Sequence, residues 1–179
     1  MGCVIGLDLS INSTGVCVRD VESGEVEYKI ILPKLTKKQQ RVIDKRISYF
    51  KYDKIEKDIS SNINHISKKI CDYIEDMREL KGSVDYVVIE DIAMSAKGRS
   101  LIDLSLLNGY IRCMLDGLSV RYNTIPPTQW KKKLLGNGQA DKELIIYHWS
   151  RMDKDMYEKM KLWGVKMDDV ADSYFLSLM

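Results

Sequence analysis

Four carboxylates stand where strands and helices begin or end in this sequence. Asp8 lies near the end of the apolar run from Cys3 to Leu9, and Glu90 closes the strongly β-forming stretch Val84 to Glu90. A third acidic group, Asp168-Asp169-Val170-Ala171-Asp172, opens the last apolar-periodic segment, and Asp169 and Asp172 are three apart and so share a helix face. Taken singly, each has an ordinary reading as a strand-end residue, the start of a polar loop or a helix cap. If the first strand and the strand ending at Glu90 are neighbours, however, Asp8, Glu90, Asp169 and Asp172 converge at one sheet edge. Like charges crowded together raise one another's pKa and call for a compensating cation. A hard divalent ion with oxygen ligands suits them: two Mg²⁺ ions about 3.5–4 Å apart, with Mn²⁺ as a substitute, activate a water and stabilise the leaving oxygen of a phosphodiester. Asp168 falls outside the D-x-x-D spacing and is the weaker ligand of its doublet.

Basic residues supply the complement. Gln129 to Lys142 reads Q-W-K-K-K-L-L-G-N-G-Q-A-D-K. Gly136 and Gly138, flanking Asn137, let the backbone approach a phosphate closely, and Asp141 opens a helix whose amides face an anion. Lys131 and Lys142 are placed to bracket the scissile phosphate as catalytic groups, with Lys132 beside them. The net charge is only +2, but residues 34–57 hold nine Lys/Arg against three acids, so the rest of the chain is net acidic. Lys37, Lys38 and Arg41 are the nucleic-acid-binding candidates in that segment, whose plainer reading is a solvated surface helix. Lys97 and Arg99, in the polar loop 95–100, are two more.

The elements that must position these groups are legible in the periodicities. The runs from Cys3 to Leu9, Thr14 to Asp20 and Glu25 to Leu32 read as a three-stranded meander with a hairpin at Ser23-Gly24. Isoleucines at 55, 59, 63, 66, 70 and 74, then Met77, mark one face of a long helix from about Lys54 to Leu80. A strand to Glu90, a helix from Leu101 to Leu118 and a strand from Ser119 to Ile125 follow. The remainder reads as helical, interrupted at Leu135 to Gly138, with a last helix from near Met167. This order predicts an α/β fold: a five-stranded mixed sheet, its first three strands antiparallel, with helices on both faces and residues 1–179 forming a single domain. No run is long and apolar enough for a membrane span, and the four scattered cysteines read as reduced thiols of a cytoplasmic, reducing compartment.

With those motifs in place, the sequence resembles RuvC-type Holliday junction resolvases of the RNase H-like superfamily. Gly6-Leu7-Asp8-Leu9-Ser10 with Ser13-Thr14-Gly15 is similar to their opening strand and turn, and Ile89-Glu90 with Met94-Ser95-Ala96 to their second acidic motif. Asp169-Val170-Ala171-Asp172-Ser173 is similar to their closing D-x-A-D-[AS] helix, and the glycine-containing lysine stretch to V-K-x-x-[LV]-x-G-x-G-x-A-x-K. Its lysine-rich form is similar to phage and poxvirus members, which implies a virus- or phage-encoded protein acting in the host cell. The resemblance implies an RNase H-like nuclease that resolves four-way and other branched DNA by paired, Mg²⁺-dependent nicks, with Asp8, Glu90, Asp169 and Asp172 as metal ligands. Bacterial members carry an aromatic residue, which helps wedge the junction open, at the position of Ala93; Met94 or Lys97-Gly98-Arg99 is the substitute expected here.

The symmetry of a four-way junction points to a homodimer, and a second apolar stripe of Ile102, Leu106, Tyr110 and Met114 on the helix from Leu101 offers a surface for it. The plainer reading is that the long Ile-striped helix covers this stripe. The alternatives within the class are a duplex or RNA–DNA hybrid nuclease and a non-catalytic nucleic-acid-binding module of the same fold. The Gly6-x-Asp8-x-Ser10 opening also resembles sugar kinases and actin-like ATPases, which need roughly twice a typical single-domain length.

Overall fold

Strand-forming residues buried on both faces build one sheet across the described residues, 2–92 and 98–179 of a computed structural model. β1 (Cys3–Asp8), β2 (Thr14–Asp20) and β3 (Val26–Leu32) form the expected antiparallel meander. Asp20 Oδ1 accepts the amides of Glu22 and Ser23 at 3.0 and 2.9 Å and so shapes the β2–β3 hairpin. β5 (Val84–Glu90) lies parallel to β1, and β6 (Tyr122–Ile125) parallel to β5.

The sheet has six strands, not five, in the order β4-β3-β2-β1-β5-β6. The addition is β4 (Ile47–Lys51), parallel to β3, and it lies inside the basic segment. That segment is therefore not a surface helix. It is a crossover with a single 3-10 turn at Gln39–Arg41, followed by an edge strand. Charges at Arg46 and Lys51 hide a strand of only five residues in the sequence. Tertiary pairing holds it: Arg46 forms an ion pair with buried Asp153, which also accepts from Tyr28 Oη at 2.8 Å, and Lys159 reaches Asp44 at 3.0 Å.

The sheet separates two cores. On one face α1 (Ile59–Lys81) and α2 (Gly98–Gly117) bury Ile63, Ile66, Ile70 and Ile74 with Leu107 and Ile111 against Ile5, Leu7 and Ile89. On the other, α3 (Pro127–Leu135), α4 (Lys142–Met152), α5 (Lys154–Trp163) and α6 (Asp168–Leu176) bury Trp130, Trp149, Met156 and Phe175 against Cys17, Tyr28 and Val88. Helices on both faces explain why β1 and β5 read as nearly continuous apolar runs. The Ile-striped helix starts later than its spacing predicts, because Asp58 caps it by accepting the Ser61 amide at 3.0 Å. Ile55 stays in the preceding loop, where both its main-chain groups bond the Asn62 side chain. No helix among the described residues is long and apolar enough to cross a membrane.

Two glycines decide where α6 sits. A Cβ at Gly6 would meet the Ser173 carbonyl oxygen at 2.2 Å, and one at Gly15 the Asp169 carbonyl oxygen at 2.2 Å. Both lie under the α6 backbone, so only glycine lets this helix press onto β1 and β2. That contact brings the acidic first turn of α6 over the carboxyl end of β1.

Candidate active site

The parallel register pairs Leu7 with Ile89, so Asp8 and Glu90 are the next residues out on adjacent strands. Asp8 also pairs with Gly15, over which the Asp169 main chain lies. Three elements thus deliver Asp8, Glu90, Asp169 and Asp172 to one edge of the sheet.

Their electrostatics register the crowding. Burial, then the charges of Glu90, Asp172 and Asp169, push the Asp8 carboxyl well above its ordinary value. Burial and then Glu90 push Asp172 up to about 7, with Lys131 opposing. Glu90 is raised by burial against the pull of a hydrogen bond from Trp130 and the charge of Lys131. Asp169 is likewise raised by burial, against a hydrogen bond from Ser13. Asp168 differs. Burial would raise it, but Lys142 at 2.6 Å and Lys166 at 2.7 Å outweigh burial and hold its carboxyl below the usual range.

Among the described residues, no three or more His, Cys, Asp or Glu side chains are placed to hold a metal ion as they stand. Glu90 Oε1 accepts from Trp130 Nε1 at 2.8 Å, and Asp169 accepts from Ser13 Oγ. The donor chemistry nevertheless fits a hard cation. Asp172 Oδ1 is buried with no hydrogen-bond partner among the described residues, and it belongs to a cluster of four repelling carboxylates with Asp8, Glu90 and Asp169.

The predicted basic residues divide. Lys131 faces the cluster, its charge acting on Glu90 and Asp172 while Nζ donates to the Ala140 carbonyl at 3.3 Å. Lys142 is brought to the site but pairs with Asp168. Lys132 is exposed on α3. Asn137 Oδ1 accepts the Gln139 amide at 3.0 Å and so orders the loop before α4, which Asp141 caps.

The glycines of that loop also have a local backbone reason. Gly136, at φ 73°, is the left-handed cap of α3, and Gly138 packs against the Thr128 carbonyl, which a Cβ would meet at 2.9 Å. Lys37, Lys38 and Arg41 lie on the β3–β4 crossover, where Lys38 Nζ donates to the Gly164 carbonyl at 3.4 Å. Among the described residues none of the three pairs with a site carboxylate. Arg99, in the first turn of α2, pairs with Asp103 at 2.9 Å. Lys97, Ala93 and Met94, with the rest of the Met94-Ser95-Ala96 motif, lie outside the described residues.

Sequence reasoning passed over Trp130, Ser13, Asn108 and Tyr49. Fully buried Trp130 stacks on Phe175 at 5.9 Å and holds Glu90. Asn108 Nδ2 donates to the Glu90 carbonyl at 3.3 Å. Tyr49 Oη, on β4, is buried without a hydrogen-bond partner among the described residues, and burial and then the charge of Asp169 raise its pKa. The signals available were the tryptophan directly before the lysine run and Ser13 in the opening Ser13-Thr14-Gly15 motif; Asn108 and Tyr49 depend on pairings made in the fold.

No family model matches the chain. It is 28% identical over 123 residues to the crossover junction endodeoxyribonuclease RuvC of Helicobacter acinonychis (strain Sheeba), covering 68% of this chain and 74% of that protein. Among solved structures, Thermus thermophilus RuvC superposes with a TM-score of 0.60 at 15% identity, covering 98% of this chain and 91% of that one. The fowlpox virus resolvase in complex with Holliday junction DNA gives a TM-score of 0.52 at 14% identity, with 98% and 94% covered. In sequence and in fold, the chain resembles the RuvC-type Holliday junction resolvases and has their RNase H-like architecture.

Proposed function

We propose that the chain is a divalent-metal-dependent endonuclease that resolves four-way and other branched DNA by paired nicks, with residues 1–179 acting as one nuclease unit. The observation that carries this reading is the convergence of Asp8, Glu90, Asp169 and Asp172 at one sheet edge, with Asp172 Oδ1 buried and without a hydrogen-bond partner among the described residues. The similarity to RuvC and to resolvases solved with junction DNA supports the substrate class.

In this mechanism Asp8, Glu90, Asp169 and Asp172 hold the metal. Two Mg²⁺ or Mn²⁺ ions held there would supply Lewis acidity and would activate a water for phosphodiester hydrolysis. Trp130 and Ser13 orient Glu90 and Asp169. Lys131 places positive charge beside the carboxylates, where it offsets charge gathering on the phosphate. Lys142 exchanges Asp168 for a phosphate oxygen as DNA arrives. Lys37, Lys38, Arg41, Lys97, Arg99, Lys132 and the Gly136–Gly138 loop contribute to holding the DNA backbone away from the chemistry.

The working unit in this reading is a homodimer. Ile102, Leu106 and Tyr110 remain exposed on α2, whereas Met114 at the far end of the stripe meets Cys71 of α1. Labelled four-way junction, fork, duplex and RNA–DNA hybrid offered in parallel with Mg²⁺ test the reading. Junction cut in symmetry-related strands is expected; faster cutting of duplex or hybrid favours another RNase H-like nuclease, and binding without cutting favours a non-catalytic module.

A further inference from the structure

Beside the carboxylate edge runs a groove of about 640 Å³ that the proposed chemistry does not use. Its walls are the loop leaving β1, the segment 54–59 ahead of α1, and the first turn of α2. The first wall is the direct continuation of the active site. Ser10 and Asn12 line the groove two and four residues beyond Asp8, and the same loop ends at Ser13, which holds Asp169.

Ile11, Ile59 and Leu104 pack on the core beneath and give the groove an apolar floor, while Ile55 stands partly exposed at its rim. The rim is otherwise polar and charged, with Lys54, Lys57 and Arg99 against Glu56, Asp58 and Asp103. Lys54 donates to Asn12 Oδ1 at 3.1 Å and keeps further donors, and among the described residues no carboxylate pairs with Lys57. Two of the lining carboxylates are committed elsewhere: Asp58 caps α1, and Asp103 pairs with Arg99. Glu56 is the third.

The wall carrying these lysines is fixed in shape. Tyr52 Oη donates to the Ile11 carbonyl at 2.6 Å, Asn62 clamps Ile55 from both sides, and Lys57 holds the left-handed φ of 62° that a non-glycine residue seldom adopts. Such strain persists where the surrounding structure enforces it, and it clusters at ligand clamps.

We propose that this groove takes one unpaired nucleotide of the cut DNA strand, its base on the Ile11, Ile59 and Leu104 floor against Ile55 and its phosphates on Lys54 and Lys57. The proposal rests on the nuclease reading for the identity of the strand. The size is that of a pocket for one small organic molecule, which admits a flipped or single-stranded nucleotide and excludes a base-paired helix. An apolar floor with Lys54 and Lys57 at its rim matches a base with its phosphate, whereas a free anion would have no use for the floor. Filling the groove also presses on the loop that ends at Ser13, so an occupied groove and a correctly held Asp169 favour each other.

Fluorescence anisotropy in EDTA with a single-stranded thymidine decamer, and with an abasic decamer of equal length, tests this without any cleavage. The wild-type protein should bind the base-bearing strand about tenfold more tightly than the abasic one, as expected for a base packed on a protein surface. Ile55→Asp should erase that preference. Lys54→Ala with Lys57→Ala should lower the slope of log K against log salt by about 1.4, two contacts at about 0.7 each for single strands. Ser100→Asp, on the opposite wall, should weaken the decamer through a separate element, and melting temperatures matching the wild type show that the variants fold.

Equal binding of the two decamers by wild type, or unchanged salt slopes and base preference in all variants, overturns the groove. The same protein is offered a four-way junction in Mg²⁺ separately. A protein that binds the decamer here yet leaves every branched DNA intact keeps the groove and loses the nuclease reading. One that resolves junctions while its variants bind like the wild type loses the groove alone.

Discussion

Trp130 Nε1 donates a 2.8 Å hydrogen bond to Glu90 Oε1, tying a fully buried indole on α3 to a carboxylate at the end of β5. The indole is itself fixed by stacking on Phe175 of α6, the helix that carries Asp169 and Asp172. One side chain therefore registers α3, β5 and α6 against one another. Trp130→Phe keeps the stack and removes the donor. It should lower Mn²⁺ affinity and kcat by about 10–100-fold, with little change in KM for a junction. Calorimetric Mn²⁺ titration separates this from a packing role, which would lower the melting temperature and leave metal affinity unchanged.

Asp8→Asn and Glu90→Gln each remove one charge from the crowded edge without changing shape. Cleavage of a four-way junction should be lost, while binding in EDTA stays the same or tightens as repulsion of the phosphate falls. Gel-shift and cleavage assays on one preparation check both halves; wild-type cleavage by either variant removes that residue from the site.

The raised carboxyls also predict how metal-free stability follows pH. Asp172 titrates at about 7 in the folded protein against 3.8 ordinarily, so the folded state holds a proton that the unfolded chain has released. Its contribution favours folding at low pH and is lost as pH rises from about 4 through about 7. In EDTA, Asp172→Asn should therefore melt several degrees above wild type at pH 8 and close to it at pH 4. A bound cation removes the same penalty, so Mg²⁺ should raise the melting temperature more at pH 8 than at pH 6. Equal Mg²⁺ shifts at the two pH values would contradict this account.

The two basic regions should separate in kinetics. Lys131→Ala and Lys142→Ala should slow cleavage more than they weaken binding, because these lysines sit against the carboxylates. Changes at Lys37, Lys38 and Arg41, on the crossover, should chiefly weaken binding and lower the salt slope by about 0.9 per phosphate contact on duplex arms. Single-turnover rates at saturating protein isolate the first effect; the opposite pattern would reverse the two roles.

Leu106 is half exposed in the middle of the α2 stripe, between Ile102 and Tyr110. If that stripe joins two copies, Leu106→Glu should give a monomer by light scattering at micromolar concentration. Paired nicking should then become uncorrelated single nicking. A wild-type monomer, both free and on the junction, would defeat the dimer and leave a nickase.

The local code wrote most of the scaffold into the sequence. The apolar run from Cys3 to Leu9, the isoleucine period of α1 and the D-x-x-D spacing of α6 each follow from a single element's geometry, so strand, helix and shared face were readable without knowing the neighbours. The convergence of Asp8 and Glu90 needed one further assumption, adjacency of β1 and β5, which the parallel register supplies. Other features belong to pairs of residues far apart in the chain and had no local signature. β4 is a strand because β3 and the Arg46–Asp153 ion pair hold it, against a charged pattern that reads as solvated surface. Gly6 and Gly15 gain their meaning only when α6 lies on them, and Trp130 and Ser13 only when Glu90 and Asp169 arrive beside them. Periodicity encodes which side of an element is buried. What that side meets is a tertiary outcome, set where two backbones can approach and a buried polar atom can find its partner.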